Sequence, residues 1–191
     1  RHGYARTSMD RVAIAAKVSK QTLYSYFQDK EGLFLALVQQ MASQRFQQVF
    51  GDLPLQGDPE LVLRQLASTF LARIQADQEY LNFIRLLVAE SGHFPKLGQT
   101  FIQTVTQPAH QRLSQFLRAH PNLKIRDPDS VAWVFLGSLI ALLFAQRLLY
   151  AEDLLPLDNQ RLVETLIALI LPQIVPHNDS PEPSRQNPAG N

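Results

Sequence analysis

The chain has 191 residues, 46% of them hydrophobic, with 12 prolines and no cysteine. That length allows one large or two small domains with an adequate core, and the missing thiols exclude disulfides and thiolate metal sites while allowing a reducing, cytoplasmic setting. The net charge of +1 conceals six basic against three acidic side chains in residues 1–31 and 12 basic against 14 acidic in the rest, so the N-terminal end suits an anionic partner.

Arg1 to Tyr4 reads as the end of a helix, with Gly3 at the position after its cap. The next helix starts at Thr7 or Ser8, where Thr7-x-x-Asp10 has capping-box spacing and Met9, Val12, Ala13 and Ala16 recur on one apolar face. Lys17-Val18 makes the turn, with Val18 expected to plug the corner. Ser19 caps a helix running to Phe27, with Leu23 and Phe27 inward and Lys20, Gln21, Thr22, Tyr24, Ser25 and Tyr26 on its other faces. Two short helices joined this way form a helix-turn-helix, which places its second helix in the major groove of DNA. Asp29 then caps a longer helix, expected to end near Gly51, with Leu33, Phe34, Leu37, Val38 and Met41 inward.

The segment GDLPLQGDP reads as a linker, and Asp58-Pro59 as an N-cap with proline at the first helical position. A helix to about Ala76 presents Leu61, Leu66, Phe70 and Ile74. Asp77 caps another to about Ser91, with Leu81, Ile84, Leu87 and Val88 inward. After a break at Gly92 to Pro95, an amphipathic stretch reaches His120, with a kink expected at Pro108. Asp127-Pro128 opens the most apolar helix, to about Tyr150. Its longest apolar run, Trp133 to Ala145, is 13 residues, so a buried helix and no membrane span are expected. The last helix runs from Leu157–Asn159 to near Ile174. Five prolines in the final 20 residues predict a disordered tail. The fold class is therefore all-α, in three parts: a head at 1–50, a body at 51–174 and a tail at 175–191.

Gly3-Tyr4-x-x-Thr7-Ser8, Val12-Ala13-x-x-Ala16, Val18-Ser19-x-x-x-Leu23-Tyr24-x-Tyr26-Phe27 and Lys30-Glu31-x-Leu33-Phe34 together resemble the DNA-binding domain of the TetR family of bacterial repressors. The resemblance implies a three-helix head, of which this sequence lacks most of the first helix. It also implies that Thr7 and Lys30 clamp phosphates from helix starts. Lys17 departs from the family's usual glycine, and a left-handed lysine costs on the order of 1 kcal/mol. Leu86 to Ser91 with Phe94-Pro95-x-Leu97, followed by Asp127-Pro128 and Phe135-Leu136-Gly137, is similar to the C-terminal domain of the AcrR/AefR-like subgroup. That similarity implies an antiparallel helical body that senses a ligand and dimerises.

Groove reading needs side chains that reach base edges, flanked by groups that grip phosphate. The set that fits is Thr7, Ser19, Lys20, Gln21, Thr22, Tyr24, Tyr26 and Lys30. Gln21 suits adenine, Thr22 offers a hydroxyl or a methyl, and the two tyrosines suit sugar-phosphate or thymine methyls. In the apolar helix, Gly137, Ala141 and Ala145 form a small-residue stripe flanked by Leu136, Ile140, Leu143 and Phe144. Leu162, Leu166 and Leu169 match it from the last helix. Such a helix needs cover on every side, which a four-helix bundle across a two-fold axis supplies. A ligand pocket would draw on Phe70, Ile74, Phe83, Leu87, Phe101, Val105 and Trp133, with Arg85, Gln107 or His110 as polar groups; plain core packing explains the same apolar residues.

Glu90-x-x-His93 has the spacing of half a di-iron site but no second copy, and there is neither a phosphate loop nor a nucleophile elbow, so no metal, cofactor or enzymatic role is expected. The sequence reads as a homodimeric repressor on a palindromic DNA operator, released by a small hydrophobic or amphipathic ligand. The alternative is a helical small-molecule-binding or protein-interaction module that does not repress.

Overall fold

Side-chain caps set where most of the helices begin. In a computed structural model that describes residues 7–51, 55–120 and 123–171, Ser8 accepts from the Arg11 amide and opens α1, Met9–Ala16. Ser19 accepts from the Thr22 amide at 3.0 Å and opens α2, Lys20–Phe27. Asp29 accepts from the Gly32 amide at 2.7 Å and opens α3, Lys30–Phe46, which continues as a π-helical turn over Gln47–Gly51. The same device starts α4, Pro59–Gln75, at Asp58 and α5, Gln78–Ser91, at Asp77. It recurs at Asp127 for α8, Pro128–Leu143, and at Asp158 for α9, Asn159–Ile170. Each cap satisfies one of the amides a helix start leaves bare. The helix end expected at residues 1–4, part of the linker and the tail lie outside the described residues.

The stretch after Pro95 stays helical through Pro108 but changes its winding just before it. α6, Pro95–Phe101, widens into a π turn at Ile102–Thr106 before α7, Gln107–Arg118. A proline ring excludes the carbonyl four residues earlier, here Thr104, and a wider turn accommodates it. α8 ends in a third π turn, Phe144–Leu148.

Two cores result. Met9, Ala13 and Leu23 form a small one in the head, with Val12, Phe27 and Leu33 against it. A much larger core gathers from α3 through α9, with Phe135, Leu63, Leu66, Leu113 and Leu139 inaccessible to solvent. α3 belongs to both: Leu33 serves the head, and Phe34 and Val38 the body. Arg45 near its end pairs with Asp77, locking α3 to the first turn of α5, and its guanidinium lies over the Tyr80 ring at 4.7 Å. The backbone amide of Tyr80, and after it the charge of Arg45, hold the Asp77 carboxyl below its usual range against the opposing effect of burial.

Four inward assignments, at Val18, Leu37, Leu61 and Val88, and one dimer-seam assignment, at Leu166, are corrected; Leu37 is 43% exposed on the outer side of α3, whose buried stripe runs through Phe34, Val38 and Ala42. Val18 is 41% exposed, because its amide closes back onto the Ala13 carbonyl and its side chain points away from the corner. Leu61 and Val88 are exposed, since the buried stripes run through Val62, Leu63, Leu66 and Leu71 and through Tyr80, Leu81, Phe83 and Leu87. Leu166, expected on a dimer seam, is buried in its own chain's core beside Val163 and Ile167. The helical stretch Pro128–Leu148 has 21 residues, and its most apolar window has a mean hydropathy of 1.8, which by length and composition alone would suffice to cross a bilayer. Its buried face, Ala132, Phe135, Leu136, Leu139, Leu142 and Leu143, instead packs into the body's core.

Candidate nucleic-acid interface and effector cavity

α2 presents a polar and aromatic face outward from a single buried anchor, Leu23. Gln21, Thr22 and Tyr24 are exposed, and Tyr26 is 78% exposed. Thr7 and Lys30 stand half-buried at the starts of α1 and α3. Ser19 is occupied as the N-cap of α2, and its hydroxyl lies 2.7 Å from that of Thr22. Lys20 meets Asp10 of α1 at 2.7 Å, with its ammonium 5.8 Å from the centre of the Tyr24 ring. The hydrogen bond to Asp10, reinforced by the carboxylate's charge, raises the lysine above its ordinary pKa. Lys20 is thus paired within the chain, to the carboxylate of the preceding helix.

Backbone conformations hold the helices in this arrangement. Lys17 adopts φ 57 and ψ 37, the left-handed conformation anticipated for the turn, and its amide reaches the carbonyls of Ala13 and Ile14. At the other end of α2, Gln28 has φ 61 and ψ −51, and the Asp29 amide bonds the Phe27 carbonyl at 2.6 Å. This is the strained, positive-φ form of the γ-turn. Gly32 follows one turn later. A Cβ there would stand 2.2 Å from the Phe27 carbonyl oxygen, so only glycine lets α3 start this close to the end of α2. Sequence reasoning passed over Gln28 and Gly32; a glycine three residues beyond an Asp cap was the available signal.

Within the body lies a cavity of about 180 Å³, walled by α3, α4, α5, α6, α7, α8 and the three π turns. Of the residues expected to form a pocket, Phe70, Ile74, Phe101, Val105, His110 and Trp133 line it. Phe83 and Leu87 do not: both are buried in the core, where Phe83 packs against Tyr80 and Phe101. Gln107 and Arg85 also lie off the lining; Arg85 instead donates to the Arg147 carbonyl and stacks on Tyr150. The end of α3 supplies walls the sequence reading assigned to no site, namely Arg45, Phe46, Val49 and Phe50. Phe46 and Phe50, one helical turn apart and stacked at 5.2 Å, were the legible sign.

The cavity's chemistry is overwhelmingly apolar. Tyr80 is buried, and that burial pushes its phenol far above the usual range, so it stays neutral. His110 Nε2 lies 2.9 Å from the Asp129 carbonyl. Because a carbonyl only accepts, Nε2 carries a proton in this contact. The imidazole meets Trp133 edge-on at 5.7 Å. Among the described residues no group of three or more His, Asp or Glu side chains is placed to hold a metal.

Residues expected at a dimer seam divide. Gly137 and Ile140 on α8 and Phe144 in the π turn that follows line the cavity and are also exposed; Ala141 is exposed and off the lining. Ala145 and Leu162 are half-buried, and Leu169 is 76% exposed.

An exposed, capped second helix on a small separate core, joined by a shared helix to a large helical body, defines a helix-turn-helix transcription regulator. The comparisons agree. The tetR family of bacterial regulatory proteins matches residues 1–37, and the C-terminal domain of AefR-like transcriptional repressors matches residues 61–172. The chain belongs to the TetR family of DNA-binding transcriptional regulators. Among solved structures it is similar to the flavonoid-responsive regulator FrrA, at 29% identity over 86% of this chain and 83% of that one, with a TM-score of 0.64. It is also similar to a TetR-family regulator of Mesorhizobium loti, at 27% identity over 88% and 85% of the two chains, TM-score 0.66. Apo AibR, at 21% identity over 90% of each chain and TM-score 0.56, shares the fold.

Proposed function

We propose that this protein is a cytoplasmic, homodimeric repressor that leaves its palindromic operator when a small hydrophobic ligand fills the body cavity. The observation that carries the reading is the path of α3. Its first turn touches the end of α2 at the Phe27 carbonyl, and its last turn supplies Phe46 to the cavity wall. A ligand that favours one setting of Phe46 therefore biases the position of α2, and DNA and ligand weaken each other reciprocally. Two α2 helices would enter successive major grooves about 34 Å apart. Gln21, Thr22, Tyr24 and Tyr26 would face the groove, with Thr7, Ser19, Lys20 and Lys30 near phosphates.

The ligand class that fits is flat and aromatic, because the rings of Phe46, Phe50, Phe70, Phe101 and Trp133 line the walls. The name of FrrA, a flavonoid-responsive relative, points the same way. The test is footprinting on the DNA upstream of the protein's own gene, with and without a hydroxylated flavone such as apigenin. The repressor reading expects a protected palindrome that apigenin exposes, with affinity falling steeply as salt rises. Salt-insensitive or absent DNA binding would favour a ligand-binding module that does not repress.

A further inference from the structure

The open side of the cavity has a definite address. Among its lining residues, the exposed ones are Trp133, Gly137 and Ile140 on α8 and Phe144 at the first position of the π turn that continues it. Their spacing of four, three and four places them on one helical stripe. The walls contributed by α3, α4, α5 and α7 are buried or half-buried. Trp133 is 60% exposed, Ile140 45% and Phe144 43%, although each already touches the cavity. Val134, on the adjoining flank, is 59% exposed.

Gly137, at the middle of the stripe, is unexplained by the chain's own packing. A Cβ built there meets nothing within 4 Å, and its φ does not require glycine. Glycine is an unfavourable residue in a helix interior. Its lack of a side chain serves close approach by something from outside the chain. A single subunit, moreover, carries one α2, whereas a helix-turn-helix protein reads two half-sites as a dimer.

We propose that a second copy of this chain completes the cavity: the stripe Trp133, Gly137, Ile140 and Phe144 is at once the rim of the ligand site and part of the dimer seam, so ligand affinity depends on dimerisation. The inference rests on the cavity being the effector site and goes beyond it. In the isolated subunit a ligand would lie open to water along the stripe. Across a two-fold axis, the partner's α8 would cover it. Linkage then requires that ligand tighten the dimer by the same factor by which the dimer tightens ligand. It also gives the ligand a direct hold on the relative placement of the two heads.

The experiment uses Ala141→Glu, since Ala141 is exposed on α8 and does not line the cavity. Sedimentation gives the oligomeric state, titration calorimetry gives apigenin affinity, and emission reports on Trp133, the only tryptophan in the chain. The expected result is a folded monomer with red-shifted emission and apigenin binding at least about tenfold weaker than the parent dimer's. Should the variant fail to fold, dilution of the parent through its dimer dissociation range carries the same expectation, with emission and affinity changing together. A monomer that binds apigenin within about twofold of the dimer overturns the inference and leaves the effector reading standing. A variant that remains dimeric with parental emission overturns it too. A parent dimer that binds no apigenin removes the effector reading and the inference with it.

Discussion

Replacing Gly32 by alanine tests whether contact between α2 and α3 positions the DNA-reading helix. The added Cβ would stand 2.2 Å from the Phe27 carbonyl oxygen and 3.3 Å from its carbon. Carbon and oxygen tolerate little less than about 3.2 Å without a bond, so the end of α2 and the start of α3 must part by roughly 1 Å. Overpacking of this kind costs about 1–3 kcal/mol, and alanine's better helix propensity returns about 0.5–1. The net loss, up to about 2.5 kcal/mol, falls on a head whose buried core, among the described residues, is Met9, Ala13 and Leu23. On the proposed reading, in which Gln21 and Thr22 face the bases, the same displacement would draw them away, and one bidentate base contact is worth about 1–3 kcal/mol. Operator affinity, read by fluorescence anisotropy on a labelled duplex, should therefore fall about tenfold to a hundredfold, while the far-UV spectrum stays helical. A Gly32→Ala protein that melts higher than its parent and binds operator equally would refute the reasoning, because it would mean that the contact yields at no cost.

Lys17→Gly should raise the melting temperature, since it relieves a left-handed lysine at about 1 kcal/mol; an unchanged melting temperature would show the turn to be unstrained. Asp10→Asn should tighten operator binding several-fold and steepen its salt dependence by about one unit, because Lys20 is then free to meet phosphate. The Asp77 carboxyl is held below its unfolded value, so its stabilising effect is complete above about pH 4 and is lost as pH falls through the lower, folded value. Asp77→Asn should accordingly flatten the acid limb of stability against pH, measured by urea melts from pH 6 to about pH 2. Phe135→Ala, at a fully buried position of α8, should cost about 3–5 kcal/mol in the same melts.

Much of this architecture is legible in the sequence because its signals are local. Ser19, Asp29, Asp58, Asp77 and Asp127 were readable as caps, since a cap acts on an amide three residues away. The left-handed Lys17 was readable from the turn it occupies. Helix phase was harder. Leu61 and Val88 fit an apolar period as well as their buried neighbours do, and only the neighbouring helices choose the stripe. The cavity was harder still. Phe83 and Phe101 pack against each other, yet Phe101 lines the void and Phe83 stands behind it. No local pattern separates two aromatic residues whose difference lies in what is absent beside them.

The sequence by itself determined the helix starts, the all-helical class and the exposed polar face of α2, because capping and periodicity operate within a turn or two of chain. Only the tertiary structure decided how closely α3 follows α2, since the room at Gly32 is set by a carbonyl at the end of a different helix. Tertiary packing likewise buried Leu166 and left Trp133, Ile140 and Phe144 both lining a void and facing outward. An apolar stripe in a sequence says that something must cover it. Which atoms do so is fixed by close packing of helices distant along the chain.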